Sequence, residues 1–233
     1  MRFRILHWHT HTSILLPSIT LLGLLGILVA SNYFFGAQHT TAPIESHKKI
    51  LNMVKALSSQ DHMHGTSTAP IQVFVYMDLE CPYCAHFHTV GIPKLQQIYG
   101  DTIAFTYRHF PLKIHPTAYG DAEASECVAL QTGEEGFWKF VDRMFAQNNG
   151  HGDISLTERN AIVKSLSIDM IKFSTCLSSH ATSKRVLADL TNGAMIGINS
   201  TPTIVIRANG DSALVAGDLY DSVLMNIQTL ERN

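Results

Sequence analysis

The spacing of apolar and polar positions divides the chain into blocks with different periods. Residues 70–78 (PIQVFVYMD) are a short, nearly continuous apolar run rich in β-branched and aromatic side chains, which predicts a mostly buried strand. Residues 82–100 (PYCAHFHTVGIPKLQQIYG) predict a helix closed by Gly100, with Pro82 in its first turn, where a missing N–H costs nothing. Pro93, mid-helix and close behind Gly91, predicts a kink. Residues 102–110 (TIAFTYRHF) return to strand and stop at Pro111. Strand, helix, strand in this order is a βαβ unit.

From Leu112 to about Ile198 the periodicity is helical, with helices predicted over 116–131, 134–147, 157–166, 169–178 and 181–197. In the second of these, Phe137, Phe140, Val141, Met144 and Phe145 form one apolar stripe, the pattern of a core-facing helix. Residues 201–206 (TPTIVI) read as a strand, 213–217 (ALVAG) as its hairpin partner, and 219–231 as a closing helix. The plan is α/β: a βαβ half, a helical insertion at about 112–198, and a ββα half.

The amino-terminal pattern differs. Residues 14–36 carry no charge and reach the roughly 20 residues that a helix needs to cross a bilayer. Arg2 and Arg4 precede the run and no further cation follows until Lys48, so 1–13 is expected inside the cell and the rest outside it. The segment reads as a transmembrane signal anchor; small residues at Ala30, Ser31 and Ala37 leave a cleaved signal peptide as the alternative. Both place the remainder in an extracytoplasmic compartment, at the cell membrane or secreted or periplasmic, where disulfides persist. Residues 37–68 are expected to be a spacer, with an amphipathic helix possible over 44–57, and the globular domain to span 69–231. The histidine clusters HWHTH and DHMH then fall outside the domain.

Seventeen Lys and Arg against nineteen Asp and Glu leave no concentrated basic surface, which argues against nucleic acid as a partner. An apolar fraction of 45% suffices for a substantial core.

The candidate chemistry lies in ECPYCAHFH, where Cys81, Cys84, His86 and His88 could be metal ligands or a redox pair with two bystanders. On a helix His86 and His88 face different ways, and no second ligand pair follows, so no metal is expected. Both histidines are expected to be solvated. In the redox reading Cys81 sits exposed at a helix start, where free N–H groups and the helix dipole favour its thiolate. It would be nucleophile and leaving group, and Cys84, one turn inside, its less accessible resolving partner. Glu80, next to Cys81, opposes that effect. Pro202 opens a strand after a polar loop, a place that suits either a cis proline or an ordinary trans turn.

Four segments, YMDLECPYC, YRHFPLKIHPTAYGDAEASECVALQ, GFWKFVDRMFAQ and NSTPTIVI, occur in this order over about residues 68–231. In them the chain resembles the DsbA-like thiol–disulfide oxidoreductases, in particular their membrane-anchored extracytoplasmic branch. The resemblance implies a thioredoxin-like fold interrupted by a helical domain, catalysis by a redox-active Cys81–Cys84 disulfide, and no cofactor. It makes Pro202 a cis-proline facing the cysteines, and Thr201 the residue that offers its backbone to an extended substrate segment. Reduced exported polypeptides would be the substrates, and a quinone-linked membrane protein would reoxidise the pair. One departure stands out. Six residues before the first cysteine the family often buries a carboxylate, and here that position is Val75. Asp78 and Glu80 are expected on the exposed end of the strand, leaving proton transfer at Cys84 to water.

Cys127 and Cys176 remain. Some family members carry an extra bridge in the helical part, so a structural disulfide is expected; two buried free thiols are the alternative. A reductase or isomerase of the same fold competes with the oxidase, since C-P-Y-C also occurs in glutaredoxins and isomerases. The anchor and the long insertion argue against a glutaredoxin, and the short spacer against an isomerase's dimerisation domain. A metal carrier or binding module using the same cysteines is the reading from another class.

Overall fold

In the computed structural model, which describes residues 53–148, 154–217 and 220–232, the apolar run after Pro70 becomes the central strand of a sheet. Strand β1 is His62–His64, β2 Ile71–Met77, β3 Ile103–His109, β4 Thr203–Ala208 and β5 Asp211–Ala216, in the order β1-β3-β2-β4-β5. The β2–β3 pair is parallel, as the crossover helix between them requires, and the other pairs are antiparallel. The predicted transmembrane segment 14–36 and the residues before it lie outside the described residues. Among those described, no helix is long and apolar enough to cross a membrane.

Both faces of β2 are covered, which is why its sequence is apolar almost throughout. Val73, Val75 and Met77 join the main core with Phe105, Phe137 and Phe140, while Phe74 and Tyr76 turn to a second core with Val54, Phe110 and Val205. The crossover is not one helix. Helix α1 (Pro82–His86) runs into a π-helical turn at Phe87–Gly91, and α2 (Ile92–Tyr99) follows with Pro93 in its first turn. The π turn absorbs the hydrogen bond that Pro93 cannot donate. Gly91 is required there, since a Cβ would stand 2.7 Å from the Phe87 ring.

The helices predicted over 116–131 and 134–147 are the two arms of α3 (Ala118–Asn148), joined at Gly133, whose φ of 68° and ψ of −158° suit glycine. Helices α4 (Leu156–Lys164), α5 (Met170–Ser178) and α6 (Ser183–Met195) complete the insertion. Helix α4 starts at a capping box in which Ser155 and Glu158 satisfy each other's backbone N–H groups. Helix α7 (Tyr220–Arg232) closes the chain against β4 and β5, burying Val223, Ile227 and Leu230.

The domain begins earlier than residue 69. Val54 is buried in the second core, and β1, from the DHMH cluster, extends the sheet beyond β3. His62 stacks on Phe137 at 3.4 Å, and its Nδ1 lies 2.7 Å from Glu134. Asp61 meets the fully buried Arg108 guanidinium at 3.2 Å, and Asp189 meets it at 3.1 Å from α6. Beyond Val54, this stretch is held by ion pairs and the His62 ring stack, which leave no hydrophobic period.

Candidate active site

The chain leaves β2 at Met77 and turns into α1, with Cys81 as the N-cap residue in extended conformation and Pro82 immediately inside. The Cys81 sulfur therefore faces the first free N–H groups of the helix. The Thr201–Pro202 peptide bond is cis, and the Thr201 carbonyl accepts from Cys81 Sγ at 3.4 Å. The loop is clamped on both sides: Gly217 N–H donates to the Pro202 carbonyl at 2.8 Å and the Thr203 hydroxyl to the Ser200 carbonyl at 2.8 Å. Under this loop Cys81 is only 4% exposed, not exposed as a helix-start position suggests, because a segment 120 residues away covers it.

The two thiols are unbonded here and unlike in character. Cys81 is lowered to about 6: the Cys84 thiol donates to its sulfur, and Thr201 and the N–H groups of Cys84 and Tyr83 add to this, outweighing burial. Cys84, with no exposed surface, is pushed well above the ordinary thiol range, first by burial and then by its position as donor to Cys81. Asp78 N–H donates to Cys84 Sγ at 3.5 Å. A thiolate-prone outer sulfur and a proton-holding inner one are what a nucleophile and its resolving partner require.

Asp78 and Glu80 are not on an exposed end. Both are buried, because the loop after β3 folds back over them. Asp78 Oδ2 accepts from Leu112 N–H at 2.7 Å and lies 2.8 Å from His115 Nδ1; Oδ1 accepts from Glu80 N–H at 2.8 Å. Glu80 accepts from the Thr117 hydroxyl at 2.6 Å, and that hydroxyl also lies 3.0 Å from Asp121 Oδ2. Burial raises Asp121 to about 6 despite its 3.1 Å contact with Arg159. For His115 burial works downward, but the hydrogen bond and charge of Asp78 raise it overall. His115, Thr117 and Asp121 carry no motif of their own; their trace in the sequence is the polar interruption IHPTAYGD between a strand and a helix.

His86 is exposed, but His88 is not solvated. The π turn directs it at α3, where Nε2 lies 2.7 Å from Asp142 and the ring packs on Phe145 at 4.9 Å. One of the four potential ligands is thus committed elsewhere. Cys127 and Cys176 lie apart from the redox pair, joined in a disulfide between α3 and α5 with an S–S distance of 2.03 Å.

A family model described as thioredoxin matches residues 57–212. Among solved structures, the chain is similar to DsbA2 of Pseudomonas aeruginosa, at 28% identity and a TM-score of 0.58, over 76% of this chain and 97% of that one. Oxidised BdbD of Bacillus subtilis, at 21% identity and a TM-score of 0.64, covers 74% and 94% and shows a shared fold. The chain is also 29% identical over 151 residues to the Na(+)/H(+) antiporter NhaA 1 of Mycolicibacterium gilvum, covering 64% of this chain and 23% of that protein. It spans a quarter or less of the length of such curated relatives, so the likeness concerns one part of them.

Proposed function

The chain belongs to the thioredoxin family, in its DsbA-like form, and on that premise we propose that it is an extracytoplasmic thiol–disulfide oxidoreductase that introduces disulfides into exported polypeptides. The observation that carries this is the asymmetry of the pair: Cys81 is lowered to about 6, Cys84 is raised, and the cis Thr201–Pro202 loop lies against Cys81.

A substrate thiolate attacks Cys81 Sγ of the oxidised pair, forming a mixed disulfide and releasing Cys84 as a thiolate that takes up a proton. A second substrate cysteine, deprotonated, attacks the substrate sulfur of that bond and expels Cys81. The substrate leaves with a disulfide, and its two electrons remain on Cys81 and Cys84. Lowered to about 6, a released Cys81 sulfur stays mostly as thiolate near pH 7. A leaving group stabilised in this way makes the disulfide easier to reduce, which supports oxidase over reductase. Thr201 and Pro202 form the substrate-side wall, with the Thr201 backbone offered to an extended segment. The electrons then pass to a membrane quinone-linked partner. Location outside the cytoplasm is supported by the apolar segment 14–36 and by the Cys127–Cys176 bridge, which belongs to an oxidising compartment.

The test is trapping. Cys84→Ala should accumulate mixed disulfides through Cys81 with exported polypeptides, and Cys81→Ala should abolish both trapping and catalysed oxidation. Oxidation persisting in Cys81→Ala would sink the assignment. Stoichiometric zinc or copper retained through the two cysteines after dialysis would favour the carrier reading instead.

A further inference from the structure

The turn that carries the chain from β2 into Cys81 is held from outside at each of its residues. Asp78 is 1% exposed, and three N–H groups converge on its carboxylate. Glu80 N–H donates to Oδ1 at 2.8 Å, Leu112 N–H donates to Oδ2 at 2.7 Å, and His115 Nδ1 lies 2.8 Å from Oδ2. The Leu79 carbonyl accepts from Asn148 Nδ2 at 3.2 Å, and Glu80 accepts from the Thr117 hydroxyl at 2.6 Å. A carboxylate is tolerated in such a buried place only when its oxygens are hydrogen-bonded, and a group that accepts at both oxygens is what three converging donors require.

What this carboxylate fixes is its own peptide unit, and that unit touches both cysteines. The Asp78 N–H donates to Cys84 Sγ at 3.5 Å, and the Asp78 carbonyl accepts from Cys81 N–H at 3.1 Å. Cys84 has no exposed surface, so charge that appears on its sulfur meets protein donors before it meets water. A donor already aimed at such a place, and unable to turn away, stabilises developing charge without reorganisation. The side chain of Asp78 is thus tied to the loop after β3, while its main chain faces the reacting sulfurs.

We propose that Asp78 is a positioning residue for the exchange: its carboxylate, tied to Glu80, Leu112 and His115, holds the Asp78 N–H against Cys84 Sγ while that sulfur carries negative charge. As a thiolate attacks Cys81 Sγ, the new S–S bond forms, the Cys81–Cys84 bond breaks and its electron pair leaves on Cys84 Sγ. That sulfur accepts from Asp78 N–H, then takes up one proton from solution, matching the one lost by the attacking thiol. In the reverse step Cys84 gives up that proton, attacks Cys81 Sγ and expels the incoming thiolate, again with its charge against the same N–H. Opening and closing are therefore assisted equally. The proposal rests on the reading of Cys81–Cys84 as the exchanging pair.

Asp78→Ala in the full chain tests it, with Asp78→Asn as the milder variant, since an amide offers one accepting oxygen where the carboxylate offers two. Three rates are followed by acid quenching and mass spectrometry. They are the opening of the oxidised pair by reduced glutathione to the Cys81 mixed disulfide, the closing of that mixed disulfide by Cys84, and the attack of Cys81 on oxidised glutathione in a Cys84→Ala background. Asp78→Ala is expected to slow opening and closing by about tenfold each, with their ratio kept within about threefold. The third rate should stay within about twofold, because Cys84 takes no part in it. Asp78→Asn should lie between Asp78→Ala and wild type, and it decides the matter if Asp78→Ala does not melt cooperatively. Unchanged opening and closing in a folded variant would overturn the proposal. So would an equal fall in all three rates, the mark of a carboxylate that only shapes the turn, or loss of the fold in both variants. Failure of the underlying reading looks different: oxidised wild-type protein would then form no glutathione adduct at Cys81 at all.

Discussion

Removing the Cys127–Cys176 disulfide is the perturbation whose size follows most directly from the structure. The bridge joins α3 to α5 across a sequence separation of 49 residues. Closing a loop of that length in the unfolded chain corresponds to about 4 kcal/mol at room temperature on the chain-entropy account. Measured losses fall short of that when the reduced unfolded state keeps some structure, so about 2–4 kcal/mol is expected. Cys127 is wholly buried, and alanine there removes one sulfur without adding a polar group, so little further cost arises from packing. The assay is equilibrium urea unfolding of Cys127→Ala/Cys176→Ala against wild type, with Cys81 and Cys84 kept reduced in both. A midpoint lower by about 1–2 M is expected, with the slope slightly increased because the unfolded chain expands. A loss below about 1 kcal/mol would refute the loop argument. So would mass spectrometry showing both cysteines alkylated in wild type without reductant.

Three other outcomes follow from the same interactions. Cys81 should titrate near pH 6 by thiolate absorbance in the reduced protein, against an ordinary value of 9.0. A depressed thiol stabilises the folded dithiol form above its folded value, fully only above the unfolded one. The reduced form should therefore gain stability over the oxidised form as pH rises from about 6 to 9, measured by paired urea melts, and a flat difference would contradict this. Asp121, raised from 3.8 to about 6, carries the opposite sign: its contribution is complete below its unfolded value and is lost as pH rises through about 6, by up to about 3 kcal/mol. Asp121→Asn should flatten the wild-type slope between about pH 4 and 6, and an unchanged slope would locate the titration elsewhere. Finally, a chain beginning at Ala69 should lose at least about 3 kcal/mol against one beginning at Met53, because Arg108 then keeps Asp189 but loses Asp61. Equal stability in denaturant would restore the later boundary.

The period-two and continuous apolar runs made β2, β3 and β4 legible, because their burial is written in their own residues. The break between the arms of α3 was legible as two helices, since Gly133 interrupts the period, but not as one helix bent through a glycine. What escaped depended on residues far apart in the chain. Asp61 and β1 are anchored by Arg108 and Glu134, and polar partners of that kind leave no periodic trace. Asp78 and Glu80 look like surface carboxylates until Leu112, His115 and Thr117 fold over them. His88 was misplaced because the π turn puts an extra residue into one turn and rotates the face that a regular helix would present. At the redox pair, the helix start predicted the direction of the Cys81 shift. The roof over that sulfur came from Thr201 and Pro202, visible beforehand only through family resemblance.

The most direct test of the oxidase reading is the reduction potential of the Cys81–Cys84 pair, by equilibration of the full chain with glutathione buffers. A thiolate-stabilised Cys81 predicts a value well above thioredoxin's roughly −270 mV, toward the roughly −120 mV of DsbA. A value at or below about −270 mV would make the protein a reductant and contradict the account.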